Sequence, residues 1–446
     1  MKPGVKAFLI SMIAALTAVA LSGCMRIAAD DLYSLPIASE EYLRLQRQIN
    51  SVLDLGAEFA APAGGPNRQA VQFKDLNGDG VSEVVAFFSQ LGDSKLMIYI
   101  FEYIDGDYSV TEVIEGVGSG FESVRYADMD GDGIVELIVG WQMGAALKHM
   151  TIFSIKDFHS VLLAERDFTE ISVFDLLGNG NPSVIVLRLP TPESVAMAEM
   201  FSLMPDGEVV SYDARLSYGI EAISRVLTGK LIDGAPALFV DSTGRFDDGV
   251  LVTDICVFHD GGFENISAKS SSGISEETVR TLIGSSDVNK DGIVKVPMPR
   301  RLRAQSETPY YAIDWYAYNS LGHSSLALTT YHNNFDEWFL IMPFDWRGKV
   351  SIRREDIVSG ERTVVFSYIA AEDGPYEDFL AIHKIFGETR EERATSGRRV
   401  RIMSDGASVF AFELLTEPDS FGLTFNETLI MGNFMLIHSE WLEGMG

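Results

Sequence analysis

An acidic, glycine-bearing loop returns along this chain at nearly regular intervals, and that recurrence limits the possible folds more than any other feature. "DLNGDGVSE" begins at Asp75, "DMDGDGIVE" at Asp128, "DLLGNGNPS" at Asp175 and "DVNKDGIVK" at Asp287. The intervals are 53, 47 and 112 residues, the last close to two periods. A worn copy, "TGKLIDGAPALFV" at 228–240, fills the gap with Asp233-Gly234. Five units of about 50 residues imply a solenoid or a propeller. The first unit reads "AVQFK", loop, "EVVAFFS", "LMIYIFEYI", turn, "YSVTEVIEG". These are four strand-like segments, the content of one propeller blade.

The loop spacing carries chemistry. In D-x-D-x-D-G-x-x-E, the first, third and fifth side chains converge when the loop curls, and glycine at the sixth position permits the turn. The seventh residue offers a backbone carbonyl and the ninth a carboxylate. Hard oxygen ligands in such number select Ca²⁺ over Zn²⁺, Cu²⁺ or Mg²⁺. The expected ligands are Asp75, Asn77, Asp79, the carbonyl of Val81 and Glu83 in the first loop. In the second they are Asp128, Asp130, Asp132, the carbonyl of Ile134 and Glu136. An EF-hand would need a glutamate at position 12, where Ala86 and Val139 stand, and helical flanks where these are strand-like. The pattern instead resembles the calcium hairpin of integrin-type propellers, the FG-GAP or VCBS repeat family, over about residues 68–335. The third loop departs from it, with Leu177 in a ligand position and Ser183 for the acidic ninth residue. No ion is expected there or in the fourth. The fifth keeps Asp287, Asn289 and Asp291 but places Lys295 at the ninth position, where a lysine can replace the ion with its own charge. The competing reading of all these loops is a set of tight Asx-rich turns without metal.

The remaining sequence bounds location and partners. A formal net charge of −29 repels phosphate backbones and argues against nucleic-acid binding. Residues 1–23 have the form of a signal peptide: Lys2 and Lys6, then an uncharged apolar run at 7–20, too short for a membrane span. "LSGC" at 21–24 resembles the lipobox of bacterial lipoproteins. That resemblance implies a diacylglyceryl group on Cys24, anchorage to the bacterial cell membrane and an extracytoplasmic location. Cys256, the other cysteine, lies in an apolar run and is expected to be a buried small hydrophobe. Residues 24–69 read as a tether and a helix at 38–56, with Ser39 as N-cap and Gly56 as terminator. Residues 70–334 read as the propeller. From 335 to 446 the acidic loops cease, and a smaller α/β domain is expected. Its opening, "FLIMPFDWRGKVSIRRE", resembles the start of PsbP-like domains. The fold class is thus mainly β: a propeller of about five four-stranded blades followed by an α/β domain.

No HExxH, G-x-S-x-G, P-loop or dinucleotide fingerprint occurs. Two function classes stand: a lipid-anchored, calcium-stabilised scaffold that binds a protein, glycan or envelope component, or a glycan-active hydrolase or lyase on the same scaffold. Convergent carboxylates and exposed tryptophans would favour the enzyme; an apolar interior would favour the scaffold.

Overall fold

A computed structural model describes residues 40–437 apart from 93–94, 157–158, 245–248, 269–274, 282, 304–308, 357 and 371–373. The expected signal peptide, Cys24 and Ser39 lie outside the described residues.

Helix α1 (Glu40–Asp54) opens with Glu40 and Glu41, which suit the positive end of the helix dipole, and buries Leu45, Ile49 and Val52 on one stripe. The first sheet follows. Its leading edge is split between β1 (Ala57–Phe59) and β2 (Val71–Lys74), which both pair with β3 (Glu83–Gln90), followed by β4 (Leu96–Ile104) and β5 (Asp107–Glu115). The second sheet is β6 (Gly120–Ala127), β7 (Glu136–Gln142), β8 (Lys148–Lys156) and β9 (His159–Phe168). The third is β10 (Glu170–Phe174), β11 (Ser183–Arg188), β12 (Met197–Leu203) and β13 (Val209–Arg215). The fourth is β14 (Ile220–Lys230), β15 (Pro236–Gly244), β16 (Val250–His259) and β17 (Gly262–Asn265), with β18 (Arg280–Thr281) added beside β16. The fifth is β19 (Val296–Arg301), β20 (Tyr311–Tyr318), β21 (Ser324–Asn333) and β22 (Trp338–Met342). Each sheet is antiparallel, and apart from the split edge of the first and β18 in the fourth, consecutive strands are adjacent.

The sheets stack face to face in chain order, and the second strand of each is buried on both sides. Alternate residues of β3 divide between partners. Val85 and Phe87 pack with Leu137, Val139 and Trp141 of the second sheet, whereas Val84, Ala86 and Phe88 pack under α1. The same division recurs in β11, where Val184 and Val186 meet the second sheet and Ile185 and Leu187 the fourth. This explains why these strands read as continuous apolar runs rather than alternating ones. Cys256 is fully buried in the core between the third and fourth sheets.

Beyond residue 335 the structure differs from the expected separate domain. β22 completes the fifth sheet by pairing with β21 across that boundary. Residues 350–414 then build a sixth antiparallel sheet: β23 (Val350–Glu355), β24 (Glu361–Ile369), β25 (Tyr376–Phe386), β26 (Arg399–Asp405) and β27 (Ser408–Leu414). Its spatial order is β23-β24-β25-β27-β26. Helices α2 (Arg390–Ala394) and α3 (Glu427–Asn433) are short, and β28 (Phe434–Leu436) returns to the edge of β22. One core joins both sheets through Trp338, Leu340, Phe366, Phe410 and Phe412. The physical reason is the large aromatic content of 338–434: its apolar surface is buried against the fifth sheet, not within a unit of its own. The segment "SEETVRTLIGSS" forms a single 3₁₀ turn at Glu276–Thr278 and the short strand β18.

Both ends of the stack carry a helix. α1 covers the outer face of the first sheet, and Ala394 of α2 packs on Ile385, Val409 and Ala411 of the sixth. Among the described residues, no apolar core joins the first sheet to the sixth.

Successive loops touch. A Cβ on Gly78 (φ +73°) would lie 2.5 Å from the carbonyl oxygen of Gly133 in the next loop, whereas one on Gly80 (φ +86°) would meet nothing within 4 Å. Both positions are left-handed, but only the first is also a backbone contact. In urea denaturation under chelating conditions, Gly80→Ala should cost about 1 kcal/mol and Gly78→Ala about 2–3 kcal/mol.

Candidate metal centres

The first four acidic loops each connect the edge strand of a sheet to its neighbour and the fifth leads into β19, and a leading aspartate shapes all of them but the fourth. Asp75 accepts hydrogen bonds from the backbone N–H groups of Gly78 (2.8 Å) and Gly80 (2.9 Å), one on each carboxylate oxygen. Asp128 does the same with Gly131 (2.7 Å) and Gly133 (3.0 Å). The fifth residue folds onto the seventh: Val81 N–H donates to Asp79 (2.7 Å) and Ile134 N–H to Asp132 (2.8 Å). The ninth residue reaches back to the second: Leu76 N–H donates to Glu83 (2.8 Å) and Met129 N–H to Glu136 (2.9 Å). The second residue is an apolar plug. Leu76 sits in the core between the first and second sheets, and Met129 in the core between the second and third.

This backbone scaffold brings three of the expected ligands of the second loop together, without Asp132, and among the described residues it does not gather Asp75, Asp79 and Glu83 as closely. In the second loop, carboxylate oxygens of Asp128, Asp130 and Glu136 all lie within 4.8 Å of one another. Glu136 is only 2% exposed. Burial, and then the nearby carboxylates of Asp130, Asp132 and Asp128, push its carboxyl up to about 7, against the pull of its bond from Met129. Burial also raises Asp130 and, in the first loop, Glu83. In the first loop Asn77 donates its amide to Asp79 at 3.2 Å, so the third-position ligand is neutral there. Among the described residues, none of these acidic groups pairs with a lysine, arginine or histidine.

The fifth loop shows what the same geometry does with a cation in place. The ammonium Nζ of Lys295, 1% exposed, donates to Asn289 Oδ1 (2.7 Å), Asp291 Oδ1 (2.7 Å) and the carbonyl of Ile293 (2.8 Å), and lies 3.7 Å from Asp287. Those are the first, third, fifth and seventh positions of the loop, the set assigned as ligands in the first two. The sign of the electrostatics reverses accordingly. Partial burial is the largest single influence and works to raise Asp291, but the bonds from Lys295, the Ile293 N–H and Asn289, with the lysine's charge, together outweigh it and hold the carboxyl below the usual range. Lys290 takes the left-handed fourth position (φ 57°) that glycine holds in the other loops.

The third and fourth loops are tied by hydrogen bonds within the protein. Asp175 caps Asn179 and Gly180 N–H, Leu177 packs against the core, and Ser183 bonds Ser202 at 2.7 Å. Asp233 accepts from the N–H of Ala235 and, across to the fifth sheet, of Ser320.

Outside the loops the structure holds polar groups that the sequence pattern does not advertise. Asp241 and Arg280 form a buried ion pair at 3.0 Å. Asp254 is fully buried and receives bonds from Ser217, Asn265 and Ser275. A lone aspartate inside an apolar strand was the available signal for each of these carboxylates. A cleft of about 470 Å³ at the second and third sheets includes Glu199, whose carboxylate is held by Arg166 (2.9 Å) and Arg188 (3.5 Å). The described tryptophans, Trp141, Trp315, Trp338 and Trp346, are all core residues below 2% exposure, so none offers a stacking face to a sugar.

The fold and loops define a stack of antiparallel, blade-like sheets with acidic metal-type hairpins. Residues 75–139 match the family model for an FG-GAP-like repeat, so this stretch carries such a repeat. No curated protein sequence matches the chain. Similar solved structures include the exotype rhamnogalacturonan lyase YesX, at 12% identity and TM-score 0.33, covering 72% of this chain and 57% of that one. Another is Sqt1 of Saccharomyces cerevisiae, at 9% identity and TM-score 0.31, covering 78% of this chain and 98% of that one. The chain therefore spans little more than half the length of the lyase, and likenesses this distant do not bear on its activity.

The raised Glu136 carboxyl gives a pH dependence with a definite sign. A carboxyl raised in the folded state stabilises fully below its unfolded pKa near 4.5 and loses that contribution as pH rises through about 7. Metal-free protein should therefore be less stable at pH 8 than at pH 5. Glu136→Gln, which cannot ionise, should recover on the order of 3 kcal/mol at pH 8 and little at pH 5. Chemical denaturation in chelator at the two pH values measures this.

Proposed function

We propose that the protein is an extracytoplasmic binding scaffold, anchored by lipid on Cys24, whose propeller-like stack is held in shape by Ca²⁺ in its first two acidic loops. The observation that supports the ion is the Lys295 ammonium, enclosed by Asp287, Asn289, Asp291 and the Ile293 carbonyl. A cation belongs at the focus of this loop geometry, and the first two loops have the same frame with more negative charge and no lysine. Asp75, Asn77, Asp79, the Val81 carbonyl and Glu83 would hold one ion. Asp128, Asp130, Asp132, the Ile134 carbonyl and Glu136 would hold the other. All-oxygen donors suit Ca²⁺, and extracellular sites of this kind bind it with dissociation constants of about 0.1–1 mM.

The ion's role is structural. It offsets repulsion among carboxylates that the hairpin forces together. It adds no chemistry to a substrate, and the scaffold reading gains from the buried tryptophans and from the paired state of Glu199. The partner is a protein, a glycan or another envelope component; nucleic acid is disfavoured by the net charge of −29.

Binding to the folded state alone stabilises by roughly 1.4 kcal/mol per site at a free-ion concentration about tenfold above Kd. Millimolar Ca²⁺ should raise Tm, EDTA should lower it, and equal Mg²⁺ should do less. Asp79→Ala and Asp132→Ala should each remove part of the shift, and the double variant most of it. A Tm indifferent to Ca²⁺ would assign the loops to ordinary turns. For the anchor, Cys24→Ala should move the protein out of the detergent phase in a phase-separation assay or leave the precursor unprocessed; unchanged partitioning would remove the lipid from the proposal.

A further inference from the structure

The five loops differ in the charge they concentrate, and the difference is ordered along the chain. The second loop gathers Asp128, Asp130, Asp132 and Glu136, four carboxylates. The first gathers Asp75, Asp79 and Glu83, three. The third and fourth keep one ligand-frame carboxylate each, Asp175 and Asp233. The fifth has two, Asp287 and Asp291, less the charge of Lys295, which again leaves one. Only the first two therefore stand to gain from a divalent ion.

These loops also form part of the junctions between sheets. Val135 N–H of the second loop donates to the Leu76 carbonyl of the first at 3.1 Å, and Gly78 lies against the Gly133 carbonyl. Gly131 lies against the Asn181 side chain of the third loop. At the other end of the series, Val294 N–H donates to the Lys230 carbonyl at 3.2 Å, bridging the fifth loop to the fourth sheet. Whatever holds a loop closed thus also holds two neighbouring sheets in register.

We propose that Lys295 is a built-in counter-ion that makes the junction of the fourth and fifth sheets independent of calcium, while the junctions among the first three sheets depend on it. External Ca²⁺ then regulates one end of the stack, the end nearest the chain's N-terminus, and leaves the other fixed. This rests on the calcium reading of the first two loops. An ammonium group tethered by its own side chain cannot be chelated or diluted away; a bound ion can. Local opening of the first two loops follows the free-ion concentration, whereas opening of the fifth does not.

Hydrogen exchange by mass spectrometry on the full-length protein in detergent, with 2 mM CaCl₂ or with excess EGTA, separates the cases. Chelation should speed exchange in peptides covering 75–86 and 128–139 by about tenfold or more and leave 286–296 within about twofold. Lys295→Met should speed exchange at 286–296 with or without Ca²⁺, and Lys295→Glu, which completes the acidic pattern, should make that peptide respond to calcium. If 286–296 answers to chelation as strongly as 75–86 in the unsubstituted protein, the counter-ion proposal is overturned and the calcium reading stands. If no peptide responds, the calcium reading falls and takes this proposal with it.

Discussion

One interaction recurs under everything else: a leading aspartate whose carboxylate caps the backbone N–H groups of its own loop. Asp75, Asp128, Asp175 and Asp287 each do so on both oxygens. In the first three sheets the cap fixes the tight connection from an edge strand to its neighbour. It therefore sets the apolar plug that seals the space to a neighbouring sheet, as Leu76 and Met129 do. A cation, whether a metal or Lys295, is an addition to a frame that the aspartate already defines. The third loop keeps that frame, with Leu177 and Ser183 where the first two loops carry oxygen-bearing side chains.

The repeat period and the loop pattern made the blade-like sheets legible, because strand, acidic turn and strand follow one another in each unit. The convergence of Asp128, Asp130 and Glu136 was legible for the same reason: spacing alone places alternate side chains on one side of a curled loop. The fate of Lys295 was legible as well, since a lysine among three oxygen-bearing positions has an obvious use. The number of sheets was harder to read. The sixth sheet has no acidic loop, so its strands carry no marker linking them to the series, and its first hairpin turns at Gly360 instead. Its membership is decided by long-range packing of Trp338, Phe366 and Phe412, which no local pattern encodes.

Burial of polar groups was the other opaque feature. Asp254 and Cys256 lie on one strand and face different surroundings, one a shell of hydroxyl and amide donors, the other an apolar core. Nothing in "VTDICVFHD" distinguishes a surface aspartate from one enclosed by Ser217, Asn265 and Ser275. Two of those three partners come from outside β16 and β17, so the enclosure exists only once the sheet is built.

The placement of α1 has a mechanical consequence. The described chain enters the stack through this helix, which grips the first sheet by Leu45, Ile49 and Val52, by the bond from Tyr108 to Glu41 and by that from Arg44 to the Gly106 carbonyl. Tension applied at the N-terminal end loads the helix from its first turn and peels these contacts in succession, whereas the strands behind it would have to shear whole ladders of hydrogen bonds at once. A load at that end would thus meet side-chain contacts on Val84, Ala86 and Phe88 before it met any sheet.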